Sequence, residues 1–140
     1  MQQVKIIECP RDAMQGIKTW IPTEQKVKYI QSLLRCGFDT IDFGSFVSPK
    51  AIPQMQDTAE VLSKLDLSTT KSKLLAIIAN LRGAEDAVKH PEIDYLGYPF
   101  SISENFQMRN THKTIAESLV ILQEILNLAY KNNKEVVSYL

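Results

Sequence analysis

The sequence has little cysteine, no excess of charge of either sign and no long apolar run. Its 16 basic residues balance its 16 acidic ones. This balance excludes a broad basic surface as the main determinant of nucleic-acid or membrane binding. No apolar stretch approaches the roughly 18 residues that a membrane span requires. Residues 1–5 also lack the basic and apolar regions of a signal peptide. We therefore expect no nucleic-acid partner and no membrane partner.

The two cysteines, Cys9 and Cys36, are too few for a disulfide framework, and their spacing is not that of a zinc site. We interpret them as reduced, partly buried thiols, which favours a cytoplasmic protein. The length of 140 residues suits one compact domain, and the hydrophobic share of 44% is ordinary for a globular chain.

Five strand-like segments alternate with helical ones along the chain. β-branched and apolar residues dominate these segments, and the third is a continuous apolar run that suits a strand covered on both faces. The predicted strands are Val4–Cys9, Phe38–Phe43, Lys73–Ala79, Ile93–Phe100 and Glu135–Leu140. The polar segment that follows Pro10 is predicted as a loop.

Each of the four predicted helices has a start signal. Thr23 and Asn80 are placed to cap two of them, and Pro53 suits the first turn of another. Thr114 and Glu117 form a capping-box pattern before the last and longest helix. The predicted buried faces contain Val27, Ile30 and Leu34; Met55, Ala59 and Leu62; and Ile115, Leu119, Leu122, Leu126 and Ala129.

This β-α alternation predicts a parallel sheet, which two architectures can provide: an open doubly wound sheet or part of a (β/α)₈ barrel. The first loop lacks a Gly-rich dinucleotide fingerprint. Polar residues follow the strands instead, at the end where barrel strands converge on one catalytic face. These residues include Arg11, Asp12, Asp42, Ser45 and Asn80. We expect them to cluster.

A closed barrel usually takes eight strands and about 250 residues. The sequence therefore predicts a partial (β/α)₈ TIM barrel, with its first five parallel strands and four intervening helices. We expect residues 1–140 to be the amino-terminal portion of a single catalytic domain.

Four segments at strand ends carry a family resemblance. Pro10–Gln15, Pro-Arg-Asp-Ala-Met-Gln, resembles the Pro-Arg-Asp-Gly-Leu-Gln segment of hydroxymethylglutaryl-CoA lyases. Gly44–Met55 is similar to their Ser-Phe-Val-Ser-Pro-Lys-x-x-Pro-Gln-Met signature, and Asn80–Gly83 to their Asn-Leu-Lys/Arg-Gly turn. Ser103-Glu104 with Asn110 is similar to their loop after the fourth strand. Ala13 departs from the pattern, because the family usually has glycine there.

The resemblance implies a metallolyase of the DRE-TIM group. Such an enzyme cleaves 3-hydroxy-3-methylglutaryl-CoA to acetoacetate and acetyl-CoA by a retro-aldol (Claisen-type) reaction in leucine breakdown. It implies that Asp12 binds a divalent metal, Mg²⁺ or Mn²⁺, and that Arg11 polarises the thioester carbonyl. Asp42 is expected to be catalytic by bracing Arg11 or the metal shell. Substrate-binding residues would be Arg11, Gln15, Ser45 and Asn80. The partners implied are an acyl-CoA substrate and, at full length, further copies of the same protein.

The family's His-x-His pair, metal-binding asparagine, late catalytic aspartate and reactive cysteine have no counterpart in these 140 residues. We therefore expect the chain alone to be an inactive fragment. Two alternatives remain open. The barrel start with Arg-Asp also serves acyl-CoA condensing enzymes of the isopropylmalate or homocitrate synthase type. The second alternative is a non-catalytic half-barrel scaffold that uses its fifth strand as a docking edge.

Overall fold

The computed structural model describes residues 4–139. Its centre is one sheet of five parallel strands, which are hydrogen-bonded in the order in which they follow one another along the chain. The strands are β1 (Ile7–Glu8), β2 (Thr40–Ser45), β3 (Lys73–Ile77), β4 (Tyr95–Pro99) and β5 (Glu135–Tyr139). A doubly wound sheet reverses its strand order, whereas a barrel does not. The sequential order therefore identifies a half-barrel.

Helices fill all four connections between the strands. They are α1 (Pro10–Gln15) and α2 (Thr23–Leu34), α3 (Thr58–Ser63) after a 3₁₀ turn at Pro53–Met55, α4 (Leu81–Ala87), and α5 (Glu104–Thr111) with α6 (Ile115–Lys131). The main core lies between the sheet and these helices, around Ile41, Phe43, Leu74 and Leu96. No helix among the described residues combines the length and apolarity that a membrane crossing requires.

The predicted order of five parallel strands is confirmed, and so are two helix starts. Asn80 accepts a hydrogen bond from the Gly83 amide at the start of α4, and Thr114 and Glu117 form the capping box of α6. The predicted fifth strand included Leu140, which lies outside the described residues.

The number of helices was wrong, because two connections contain two α-helices each. The predicted loop after β1 is the short helix α1, which has Pro10 in its first turn together with Asp12. Proline pre-sets the helical φ angle there, and an acidic residue interacts favourably with the helix dipole. The other missed helix is α5, which Ser103 caps through the Phe106 amide.

Several local predictions were also wrong. Thr23 is the first residue of α2 and not its cap, and its hydroxyl donates to Asp57 Oδ2 at 2.8 Å. Ala59, Leu119 and Leu126 are exposed. The buried residues of these helices are Thr58, Val61 and Leu62 in α3, and Ser118, Ile125 and Ala129 in α6. Both cysteines are exposed rather than partly buried.

Glycine at position 83 lets α4 approach the backbone that follows β2. A Cβ atom added there would lie 2.8 Å from the carbonyl oxygen of Phe46. We expect Gly83→Ala to lower the free energy of unfolding by about 1–3 kcal/mol. The added methyl group would clash with a backbone carbonyl, which cannot move aside as easily as the end of a flexible side chain. Urea unfolding followed by circular dichroism measures this loss.

Gly16→Ala is the matched control. A Cβ at position 16 meets nothing within 4 Å, and Gly16 has a right-handed φ of −85°. We expect no loss there, or a gain of about 0.4–1 kcal/mol. Equal losses in the two variants would contradict the close approach.

Candidate active site

The centre of the candidate site is an ion pair between α1 and β2. Asp42 lies inside β2 and pairs with Leu75 of β3, as the predicted strand Phe38–Phe43 requires. It does not follow the strand end, because the strand runs on to Ser45. Its neighbours Ile41 and Phe43 face the helices, so alternation turns Asp42 to the inner face of the half-barrel. Its side chain is 0% exposed.

Arg11 binds this carboxylate with two of its three nitrogens. Its Nε lies 3.1 and 3.2 Å from Asp42 Oδ1 and Oδ2, and its Nη2 lies 2.6 Å from Oδ2. This is the bidentate geometry that a planar guanidinium favours. The β2 strand therefore determines where the Arg11 head group lies.

Burial and charge oppose each other in this pair. Burial raises the pKa of the Asp42 carboxyl, whereas the hydrogen bonds and charge of Arg11 lower it, and the pKa remains above its ordinary value. Burial alone would lower the pKa of Arg11, but the hydrogen bond and charge of Asp42 outweigh it. Arg11 is therefore a permanent cation at this position.

The third nitrogen of Arg11 joins two further side chains. Its Nη1 donates to Asp12 Oδ1 at 3.0 Å and to Gln15 Oε1 at 2.9 Å, and Gln15 Nε2 donates to Asp12 Oδ1 at 2.9 Å. Asp12 and Gln15 lie one and four residues after Arg11 on the same short helix. The structure thus brings Arg11, Asp12, Gln15 and Asp42 together.

This network leaves one donor and one acceptor free for a ligand. Of the five N–H groups of Arg11, the second Nη2–H has no acceptor among residues 4–139. Asp12 Oδ2 accepts no hydrogen bond from the same residues, and the Asp12 side chain is 64% exposed. The site can therefore offer a cationic N–H and an anionic oxygen side by side.

Ser45 and Asn80 lie apart from this network and line a neighbouring cavity of about 300 Å³. Both side chains bind locally. Ser45 Oγ accepts from the Val47 amide at 3.1 Å, and Asn80 Oδ1 accepts from the Gly83 amide at 2.9 Å. Of the predicted substrate-binding residues, Arg11 and Gln15 are joined by a side-chain hydrogen bond, and Ser45 and Asn80 share the neighbouring cavity.

Sequence reasoning missed Tyr139 and Cys9 as neighbours of the ion pair. Burial raises the pKa of the Tyr139 phenol, and the charge of Asp42 raises it further. Although Cys9 is an exposed residue, partial desolvation of its thiol and the charge of Asp42 likewise raise the pKa of that thiol. Their positions in the sequence could have indicated this, because Cys9 directly follows β1 and Tyr139 is the last residue of β5.

The network offers one side chain, Asp12, that can coordinate a metal ion. Asp12 offers the hard carboxylate oxygen that Mg²⁺ and Mn²⁺ prefer, whereas both oxygens of Asp42 are bound by Arg11. Within residues 4–139, no group of three or more His, Cys, Asp or Glu side chains could hold a metal ion. These residues therefore fit part of a coordination shell.

The two aspartates should differ sharply in their effect on stability. Asp42→Asn leaves a largely buried guanidinium without its counter-charge, and we expect a loss of about 3 kcal/mol in the free energy of unfolding. Asp12→Asn is the matched control, because its exposed ion pair contributes less than about 1 kcal/mol. Urea unfolding compares them, and losses of equal size would contradict the central role of Asp42.

Comparison with curated proteins and with solved structures finds the same kind of relative in both. No protein-family model matches the chain. The chain is 36% identical over 131 residues to the hydroxymethylglutaryl-CoA lyase YngG of Bacillus subtilis, a match that covers 94% of the chain and 43% of the relative. The chain thus spans less than half the length of this relative.

Solved structures agree with the sequence match. The crystal structure of the Bacillus subtilis HMG-CoA lyase superimposes with a TM-score of 0.90 at 36% identity, covering 98% of this chain and 46% of that one. An Acinetobacter baumannii HMG-CoA lyase, solved with coenzyme A and 3-methylmalate, superimposes with a TM-score of 0.86 at 32% identity, covering 96% and 44%. In sequence and in fold, the chain therefore corresponds to the amino-terminal part of hydroxymethylglutaryl-CoA lyases.

Proposed function

We propose that the chain contributes the amino-terminal part of a hydroxymethylglutaryl-CoA lyase site. The reaction is the cleavage of 3-hydroxy-3-methylglutaryl-CoA to acetoacetate and acetyl-CoA, a step of leucine breakdown. One observation carries the proposal: a guanidinium held by a buried aspartate lies beside an exposed carboxylate in a half-barrel similar to solved lyases. The lyase is favoured over the condensing enzymes and the scaffold, because the relatives and structural neighbours are lyases.

Arg11 is suited to the charge that develops in this reaction. The tertiary hydroxyl loses its proton to a base, and its oxygen becomes the new carbonyl of acetoacetate as the carbon–carbon bond breaks. The electrons of that bond move toward the thioester carbonyl and form an enolate, which takes up a proton to give acetyl-CoA. A fixed cation near that oxygen lowers the energy of the transition state, because the charge it meets grows as the bond breaks. The free Nη2–H of Arg11 can donate to this oxygen, while the rest of its fork remains bound to Asp42.

Asp42 is proposed as a positioning residue for Arg11. It is fully buried and both of its oxygens are bound by Arg11, so it reaches the substrate only through that side chain. Gln15 holds Arg11 and Asp12 in one arrangement. Ser45 and Asn80 are proposed as walls of the neighbouring cavity.

Asp12 is proposed as a ligand of a divalent metal, Mg²⁺ or Mn²⁺. Such an ion, when bound, supplies a Lewis acid to oxygen atoms of the substrate. The free and exposed Oδ2 of Asp12 supports this role. Since Mg²⁺ takes six oxygen ligands, the remaining positions would fall to water, substrate and other protein groups.

The proposed partners are an acyl-CoA substrate and, in the complete enzyme, further copies of the same protein. The coenzyme A bound to the structural neighbour from Acinetobacter supports the first of these. The proposed compartment is the cytoplasm, which the two exposed and unbridged thiols support.

Replacement of Arg11 by lysine tests the proposal. The chain is fused to the part of the Bacillus subtilis relative that it does not match, and cleavage of 3-hydroxy-3-methylglutaryl-CoA is measured. Arg11→Lys keeps the charge but loses the planar fork bound to Asp42. We expect kcat to fall about 10²–10³-fold with a smaller change in KM. Arg35→Lys, at the exposed end of α2, is the control and should retain activity. An inactive parent chimera, or an active Arg11→Lys variant, would contradict the proposal.

Replacement of Asp12 by asparagine separates the metal role from the cation role. In the same chimera, Asp12→Asn removes one charge from the coordination shell and should weaken metal binding. We expect part of the lost activity to return at high Mg²⁺ or Mn²⁺, whereas Arg11→Lys should not respond. A titration of activity against each metal measures this difference. Equal responses of the two variants would show that Asp12 is not the ligand.

A further inference from the structure

The loop between α1 and α2, residues 16–22, is held by a polar cluster that the proposed chemistry does not use. The cluster consists of Gln54, Lys26, Asp57 and Trp20, and we call it the loop anchor. Gln54 and Lys26 are only 4% and 2% exposed. Buried polar groups of this kind are costly unless they are fully paired, so their pairing shows what they hold in place.

Gln54 alone pairs three backbone groups of the loop. Its Nε2 donates to the carbonyl oxygens of Ile17 and Thr19 at 2.8 and 2.9 Å, and its Oε1 accepts from the Ile21 amide at 3.0 Å. One side chain thus satisfies the hydrogen bonding of three backbone groups in this loop. Without it, these groups would have to find water or a new conformation.

Lys26 holds Gln54 from the other side. Its Nζ donates to the Gln54 carbonyl oxygen and to Asp57 Oδ1, the latter at 2.7 Å. The same ammonium lies 3.8 Å from the centroid of the Trp20 ring, in a cation–π contact. Because Trp20 is itself a loop residue, both Gln54 and Lys26 hold the loop directly.

The loop begins directly after α1, the helix that carries Arg11, Asp12 and Gln15. This helix has only six residues, and its cap residue Cys9 makes no side-chain capping hydrogen bond. Helices this short are unstable without tertiary contacts. Gln15 and Gln54 also line the same groove, of about 410 Å³. The position of α1 therefore depends on the loop that follows it.

We propose that Gln54 is a positioning residue for the candidate site: through residues 16–22 it holds α1, and with it Arg11 and Asp12, in place over β2. The effect of Gln54 on catalysis rests on the proposed function. The positioning itself is a property of the folded chain and is testable without substrate.

Hydrogen exchange of the Arg11 Nε–H, followed by ¹⁵N NMR, tests the positioning. This proton is held by Asp42 and is exposed when α1 moves. We expect Gln54→Ala to accelerate its exchange about tenfold or more, beyond any change in global stability, because buried hydrogen bonds of the loop are lost. Gln31→Ala is the matched control, since Gln31 also binds backbone through both ends of its amide, at the carbonyl and the N–H of Asp66. It should leave the Arg11 proton unchanged.

A second measurement needs no substitution and applies even if Gln54→Ala fails to fold. In the unmodified chain under increasing denaturant, the Arg11 Nε–H and the Ile21 amide should open with one common free energy, lower than that of the Leu75 amide in β3. Different free energies for Arg11 and Ile21, or unchanged Arg11 exchange in a folded Gln54→Ala variant, would overturn the positioning role. Absence of lyase activity in the chimera contradicts the proposed function alone.

Discussion

The buried charge of Asp42 is the constraint on which the arrangement of the candidate site depends. A carboxylate at the inner face of a parallel sheet is tolerated only with a counter-charge and hydrogen bonds. Arg11 supplies both, and it comes from the helix that follows the neighbouring strand. The pair therefore ties α1 to β2, and it orients the guanidinium so that one N–H and the adjacent Asp12 oxygen are left for a ligand.

A second buried cation stabilises the same region from outside the sheet. Lys26 of α2 binds Asp57 and the backbone of Gln54, and Gln54 binds the loop after α1. Buried ion pairs contribute little net stability, but they penalise any arrangement that separates the partners. The Arg11–Asp42 and Lys26–Asp57 pairs together oppose displacement of α1. This helix is too short to be stable by its own hydrogen bonds.

The half-barrel explains why residues distant in the chain meet at one place. Parallel strands in sequential order bring their carboxyl ends to the same side, and α1 and the loop after β2 both start there. Gly97 of β4 allows Leu75, Ile77 and Tyr139 to crowd the inner face, because a Cβ at that position would lie 2.5 Å from Ile77 Cδ1. Tyr139 thereby comes near enough to Asp42 for that charge to raise the pKa of its phenol.

The sequence by itself determined the number, order and parallel direction of the strands, the caps at Asn80 and Thr114, and the resemblance at the strand ends. These features depend on local periodicity and on short motifs, which are readable from neighbouring residues. Only the tertiary structure decided that Asp42 is buried in an ion pair with Arg11, that Leu119 and Leu126 face solvent, and that the segment after Pro10 is a helix. Each of these depends on partners more than 30 residues away or on the exact rotation of a helix against the sheet. Gln54 is the clearest case: nothing within its own segment indicates that its amide completes the backbone of a loop 33 to 37 residues earlier.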